Sequence, residues 1–238
     1  MSKKNSKNPF PKDFIWGVST SAYQNEGAVL ADGKGPSIWD AFCKRKDAIW
    51  KGYNGDIACD HYHRYREDVA LMKKLGVKAH RFSVSWPRVM PKGSGKVNPK
   101  GLDFYNRLID EMLKAGIEPH LTLYHWDLPL ALSDKGGWHN RDVAGWFADY
   151  TQVAVNAFSD RVKHWYPVNE PQCIISLGYY QANYAPGIKL TLQQSLQAGH
   201  HLLLANGIAA MIIRGEAKQK VKVGLSVATQ IDVYKRQR

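Results

Sequence analysis

The sequence is short of cysteine, of acidic residues and of long apolar runs, and each shortage closes off a class of protein. Its three cysteines, Cys43, Cys59 and Cys173, are odd in number and share no metal-ligand spacing. That argues against a disulfide framework or a zinc ribbon and for reduced, partly buried thiols. No apolar run approaches the roughly 18–20 residues of a membrane span, so no membrane partner is expected. Residues 1–9 are basic but lead into no apolar stretch and no small-residue cleavage site. No secretory signal is expected, and the expected location is cytoplasmic. No G-x-G-x-x-G or G-x-x-x-x-G-K-[ST] loop follows the first strand-like run, which removes the best support for nucleotide binding. Asp and Glu number 21 against 33 Lys and Arg, a net charge of +12. The lysines are scattered, however, and no basic-aromatic motif joins them, so a charged surface is preferred to a nucleic-acid partner.

What the chain has in quantity is aromatic side chains, 8 Trp, 12 Tyr and 7 Phe, enough with 238 residues for a sizeable packed core. Five strand-like runs recur, at residues 14–20, 78–86, 118–126, 162–170 and 221–227, each short and rich in β-formers. Helical patterns separate them. One around Glu67 runs into Gly76, and another follows Asn98 and Pro99, carries Leu102, Tyr105, Ile109, Met112 and Leu113 on one face, and stops at Gly116. A third carries Val143, Phe147, Tyr150, Ala154 and Phe158. A fourth opens with a Thr191/Gln194 capping box and continues through Leu196, Leu203, Ala210 and Ile213. Strand and helix alternate four times before a fifth strand, which implies a parallel sheet. Residues 10–233 read as one domain, with a flexible basic tail at 1–9 and a non-native end at 234–238.

Unusual side chains collect at the ends of successive runs: Gln24 after the first, Trp86-Pro-Arg88 at the second, His125-Trp126-Asp127 at the third, and Asn169-Glu170-Pro171 at the fourth. A (β/α)8 barrel builds its active site at that end of its strands. Glu170, in an aromatic neighbourhood including Trp165 and Tyr166, suits a proton donor whose pKa is raised by apolar walls. Glycosidic cleavage needs such a donor, because the departing sugar oxygen is a poor leaving group. Trp126, His125, Asn169 and Gln24 supply the mixture of aromatic platform and polar groups that sugars require. Singly, each fits core packing; their convergence carries the functional reading. Arg81, inside the second run, is expected to need a carboxylate partner. His61 and His63 are poorly spaced for metal ligation and read as structural.

Several segments together resemble glycoside hydrolase family 1. They are Phe10-Pro-Lys-Asp-Phe-Ile-Trp-Gly-Val-Ser-Thr-Ser-Ala-Tyr-Gln24 with Glu26-Gly27, Asp32-Gly-Lys-Gly-Pro-Ser-Ile-Trp-Asp40, Arg81-Phe-Ser-Val-Ser-Trp-Pro-Arg88, Leu123-Tyr-His-Trp-Asp-Leu-Pro129 and Asn169-Glu-Pro171. Gly136-Gly-Trp138 and Ala185-Pro-Gly187 add to them. The resemblance implies an α/β fold, a (β/α)8 TIM barrel of which about five strands and four helices are present, and retaining hydrolysis of small β-glycosides or oligosaccharides. It implies Glu170 as the general acid/base, Asn169 at the sugar 2-hydroxyl, and Gln24, His125 and Trp126 on other hydroxyls. Arg81 would stand beside the nucleophile. No cofactor or metal is implied.

This sequence departs from the family pattern at Asn25, at Pro167 where threonine is usual, and at Ala182 and Tyr184. The largest departure is that no Thr-Glu-Asn-Gly-type nucleophile motif occurs. Retaining chemistry uses two carboxylates about 5–5.5 Å apart, so a β-glucosidase-like protein lacking its nucleophile-bearing part, inactive alone, is expected. A 6-phospho-β-glucosidase and a non-catalytic sugar- or partner-binding half-barrel are the alternatives. Oligomeric state is not legible in the sequence.

Overall fold

The computed structural model describes residues 10–228; the tail at 1–9 and the end segment at 234–238 lie outside the described residues. Five strands make one wholly parallel sheet in chain order: β1 (Gly17–Ser19), β2 (Ala79–Ser83), β3 (Glu118–Tyr124), β4 (His164–Val168) and β5 (Lys222–Val223). Four long helices connect them: α1 (His61–Lys74), α2 (Pro99–Lys114), α3 (Val143–Phe158) and α4 (Leu192–Glu216). Strand order that never reverses is the order of a barrel rather than of a doubly wound sheet.

Local chemistry explains the punctuation. Gly76 and Gly116 adopt φ of 77° and 75°, closing α1 and α2 in the left-handed conformation that glycine tolerates. Thr191 and Gln194 form the expected reciprocal capping box of α4. Asn98 does not cap α2: its side-chain amide instead donates to the carbonyls of Asp32, at 2.8 Å, and Arg88, at 2.9 Å. It thus ties the loop after β1 to the loop after β2.

The core fills the space between sheet and helices, with Phe104, Tyr105, Ile109 and Met112 of α2 against Phe147, Tyr150 and Phe158 of α3. The stripe expected for α4 is shifted. Ala198, Leu202, Ala205, Ala209 and Ile213 are buried, whereas Leu196 and Leu203 are exposed, because α3 and β4 cover one side of this helix only. By length and composition α4 is apolar enough to cross a membrane, which a search for an unbroken apolar run does not register; here it packs along α3.

The sheet does not close among the described residues, and β1 and β5 are its edges. Apolar side chains stand exposed at both: Ile15, Trp16 and Val18 at β1, and Leu225 and Val227 beyond β5. Pro167 shapes the second edge. It cannot donate to β5, and the pairing lapses between Trp165↔Val223 and the isolated bridge Asn169↔Ser226. It resumes as the Glu170 amide donates to the Ser226 carbonyl at 2.7 Å, which anchors Glu170 despite the proline.

Candidate active site

The rim at the C-terminal ends of β3 and β4 is held in unusual backbone geometry. Glu170 has φ 50° and Trp126 φ 79°, left-handed values that cost bulky or charged L-residues about 1–3 kcal/mol each unless their surroundings fix them. The surroundings do. Glu170 donates its amide to Ser226 and accepts from the Cys173 amide at 3.0 Å, while the Trp126 indole N–H donates to the Asn169 carbonyl at 2.8 Å.

Asn169 is the hub. Its Oδ1 accepts from an Arg81 guanidinium nitrogen at 2.8 Å, which fixes the amide orientation. Its Nδ2 therefore donates to His125 Nε2, 3.1 Å away, and its backbone N–H donates to the Tyr124 carbonyl at 3.0 Å. Burial, with a smaller contribution from the Arg81 charge, pushes His125 down to about 4, so the imidazole is neutral near pH 7. With Nε2 accepting, the proton sits on Nδ1, and that buried nitrogen has no partner among the described residues.

A cavity of about 510 Å³ opens at this rim, lined among others by Gln24, His125, Trp126 and Glu170. Four of the six expected site residues therefore face one space, and Asn169 and Arg81 position them from behind. The aromatic walls differ from those expected. Trp165 is fully buried in the core and donates to the Val162 carbonyl, and Tyr166 lies lower on the sheet beside His120. Besides the expected Trp126, the rings that line the cavity are Trp39, Tyr23, Tyr53 and Tyr184. Sequence reasoning gave these four no role in the site; the signal was there for Trp39 and Tyr23, which lie in motif segments, and for Tyr184, a departure from the family pattern. Glu170 is half-buried in an open cavity rather than enclosed by apolar walls. Its carboxylate, after burial, raises the pKa of the Cys173 thiol. Gln24 is exposed and accepts from the Ser21 hydroxyl at 2.7 Å, which sets its amide orientation.

Beneath the rim lies a buried polar network. Arg88 Nε donates to Glu26 at 2.8 Å, the Tyr105 hydroxyl donates to the other Glu26 oxygen at 2.5 Å, and a further Arg88 nitrogen donates to the Gly27 carbonyl. Arg88 and Trp86 are completely buried, so that strand end supplies support rather than ligand contacts; Trp86 stacks on Tyr150 at 5.0 Å. Asp127 is also buried, and burial raises its pKa to about 7, with Ser85 and Lys34 offsetting this in part.

Arg81, which the resemblance sets beside a nucleophile these residues lack, bonds neutral groups. Its partners are the Ser19 hydroxyl, at 2.9 Å, and Asn169, and no carboxylate pairs with it among the described residues. It is half-buried on the inner face, where solvent and neutral acceptors suffice. His61 and His63 each bond a separate carboxylate, Asp68 and Asp60, at 2.6 Å. Asn25 reaches toward Cys59 Sγ at 3.7 Å, and Ala182 takes φ 61° just before the segment carrying Tyr184. The three thiols are free.

Comparison with known proteins agrees with this geometry. The model of Glycosyl hydrolase family 1 matches residues 6–237. Beta-glucosidase A of Acetivibrio thermocellus is 51% identical over 222 residues, covering 93% of this chain and 49% of that protein. The aryl-phospho-beta-D-glucosidase BglC of Bacillus subtilis is 50% identical over 220 residues, 92% of this chain and 46% of its own length. A solved family 1 β-glucosidase from Thermotoga maritima superposes with a TM-score of 0.88 at 50% identity, covering 91% of this chain and 48% of that one. The chain thus spans about half the length of the curated relatives it matches. Its five parallel strands are part of a TIM barrel, and the chain belongs to glycosyl hydrolase family 1.

Proposed function

We propose that this chain supplies the acid/base half of a retaining β-glucosidase active site. The observation that carries the reading is the placement of Glu170 on the cavity that Gln24, His125 and Trp126 also line, with Asn169 locked between Arg81 and His125. Trp126, Trp39 and Tyr184 offer apolar faces to sugar rings, while Gln24 offers its amide to hydroxyls. Glu170 protonates the departing glycosidic oxygen and, in the second half of the reaction, takes a proton from the attacking water. The carboxylate that attacks the anomeric carbon has no counterpart motif in these residues. The 238-residue chain alone therefore binds sugar weakly and does not turn over.

A chimera tests this: residues 1–228 joined to the complementary half of the Thermotoga maritima β-glucosidase. Hydrolysis of nitrophenyl β-glucoside should appear in the chimera and not in the isolated chain. Glu170→Gln should lower turnover of an unactivated disaccharide by about 10²–10⁴-fold. Turnover untouched by that substitution would refute the role of Glu170. The 6-phosphorylated substrate, assayed alongside, separates a plain from a phosphorylated glycone. The three unpaired thiols support a cytoplasmic location.

A further inference from the structure

The inner face of the sheet, below the rim, carries chemistry that sugar cleavage does not use. The register Arg81↔His120, His120↔His164 and His164↔Lys222 sets four basic side chains in one row across β2 to β5. They line an open cavity of about 770 Å³ together with Glu118, which stands two residues before His120 on the same face. The imidazoles of His120 and His164 lie parallel, with ring centres 4.1 Å apart. His164 Nε2 is 3.2 Å from Glu118 Oε1.

We propose that Glu118, His120 and His164 form a binding site for a divalent transition-metal ion of the zinc class. One ligand atom from each of the three lies within 4.8 Å of the others. Two ligands on a tetrahedral zinc ion, with bonds of about 2.0–2.1 Å, stand roughly 3.3–3.4 Å apart. The His164–Glu118 pair already has that separation, and His120 closes on it by turning its ring within the open cavity. Neighbouring strands run about 4.8 Å apart, so two histidines in register present their imidazoles side by side. The Tyr166 hydroxyl, 3.2 Å from His120 Nδ1, engages that nitrogen and leaves Nε2 as the one to ligate.

The surrounding charge decides which metal. Among the described residues Glu118 is the one carboxylate lining this cavity, against Arg81, Lys163, Lys220 and Lys222. A hard cation such as Ca²⁺ or Mg²⁺ relies on several oxygen ligands and on negative charge, and finds neither. Zinc, nickel and copper bind imidazole strongly enough to enter such a site. Two of the nearby cations are directed elsewhere: the Arg81 guanidinium bonds Ser19 and Asn169 toward the rim, and the Lys222 side chain is exposed.

The test is zinc titration of the metal-stripped 238-residue chain by calorimetry, with urea unfolding measured in chelator and in excess zinc. One equivalent should bind, and zinc should raise the unfolding midpoint while Mg²⁺ and Ca²⁺ leave it in place. His120→Ala, His164→Ala and Glu118→Gln should each weaken zinc binding at least about tenfold. His63→Ala, which removes an exposed histidine paired with Asp60, should not. The unaltered chain loaded with Co²⁺ gives a second readout that needs no variant to fold: strong d–d absorption of a four- or five-coordinate ion, displaced by zinc. No binding, a six-coordinate cobalt spectrum, or zinc affinity indifferent to both inner-face histidines would overturn the site.

Discussion

The two ends of one sheet differ in how fully their side chains are matched. At the rim, Asn169 alone takes part in hydrogen bonds with Arg81, His125, Trp126 and Tyr124, and Glu26, Arg88 and Tyr105 brace the loops beneath. On the inner face, four basic side chains stand in one row with the acid Glu118 two residues below it, and the flanking edges expose apolar residues. Both regions are built from β2, β3 and β4. The difference teaches that the rim's side chains are matched by hydrogen bonds to one another, whereas the inner face gathers positive charge around Glu118.

The comparison breaks most visibly at Glu26. Glu26→Ala leaves Arg88 buried without its counter-charge and should cost about 3–5 kcal/mol, read from urea unfolding. A loss below about 1 kcal/mol would mean that the network is not the brace described. Next comes Asp127. Its folded pKa, about 7, lies above its unfolded value, so its contribution is fully present below about pH 4 and is lost as pH rises through 7. Asp127→Asn should gain on the unaltered chain between pH 5 and pH 8; equal midpoint differences at both pH values would contradict the shift. His80 and His125, pushed by burial to about 3 and about 4, act in the opposite sense, with stability lost as pH falls below about 6.5.

Asn169→Ala should cost about 1–3 kcal/mol, because it strands the partners of one amide. Near-neutral behaviour would show that the rim bonds are replaced by water. Pro167→Thr restores a donor facing β5 and should add about 0.5–1.5 kcal/mol, with slow exchange of the new amide proton; a fast-exchanging amide would mean that the strand stays open there. The smallest effect is expected at Lys222→Ala, within about 0.5 kcal/mol. A larger loss at that exposed residue would show the inner face to be better matched than its side chains indicate.

Much of this was legible beforehand. The five strands and four long helices follow from short β-rich runs, glycine stops and one capping box, all local signals. Glu170, His125, Trp126 and Gln24 converge as the ends of parallel strands require. Long-range pairing was not legible. Asn98 looked like a cap, yet its amide serves two distant carbonyls, and Trp165 looked like a cavity wall, yet the alternation of β4 turns it into the core. The bonds of Arg81 to the Ser19 hydroxyl and the Asn169 amide were likewise not legible.

The sequence by itself determined the alternation of elements, the membership of the family and the place of Glu170 at the end of a strand, because helix stops, strand runs and strand-end motifs are written in neighbouring residues. Only the tertiary structure decided which side chains meet. Register places His120 beside His164, the left-handed turns at Trp126 and Glu170 are held by residues far off in the chain, and Asn169 becomes a hub because four elements bring it partners. Such contacts depend on strand pairing across tens of residues, and no local pattern encodes that pairing.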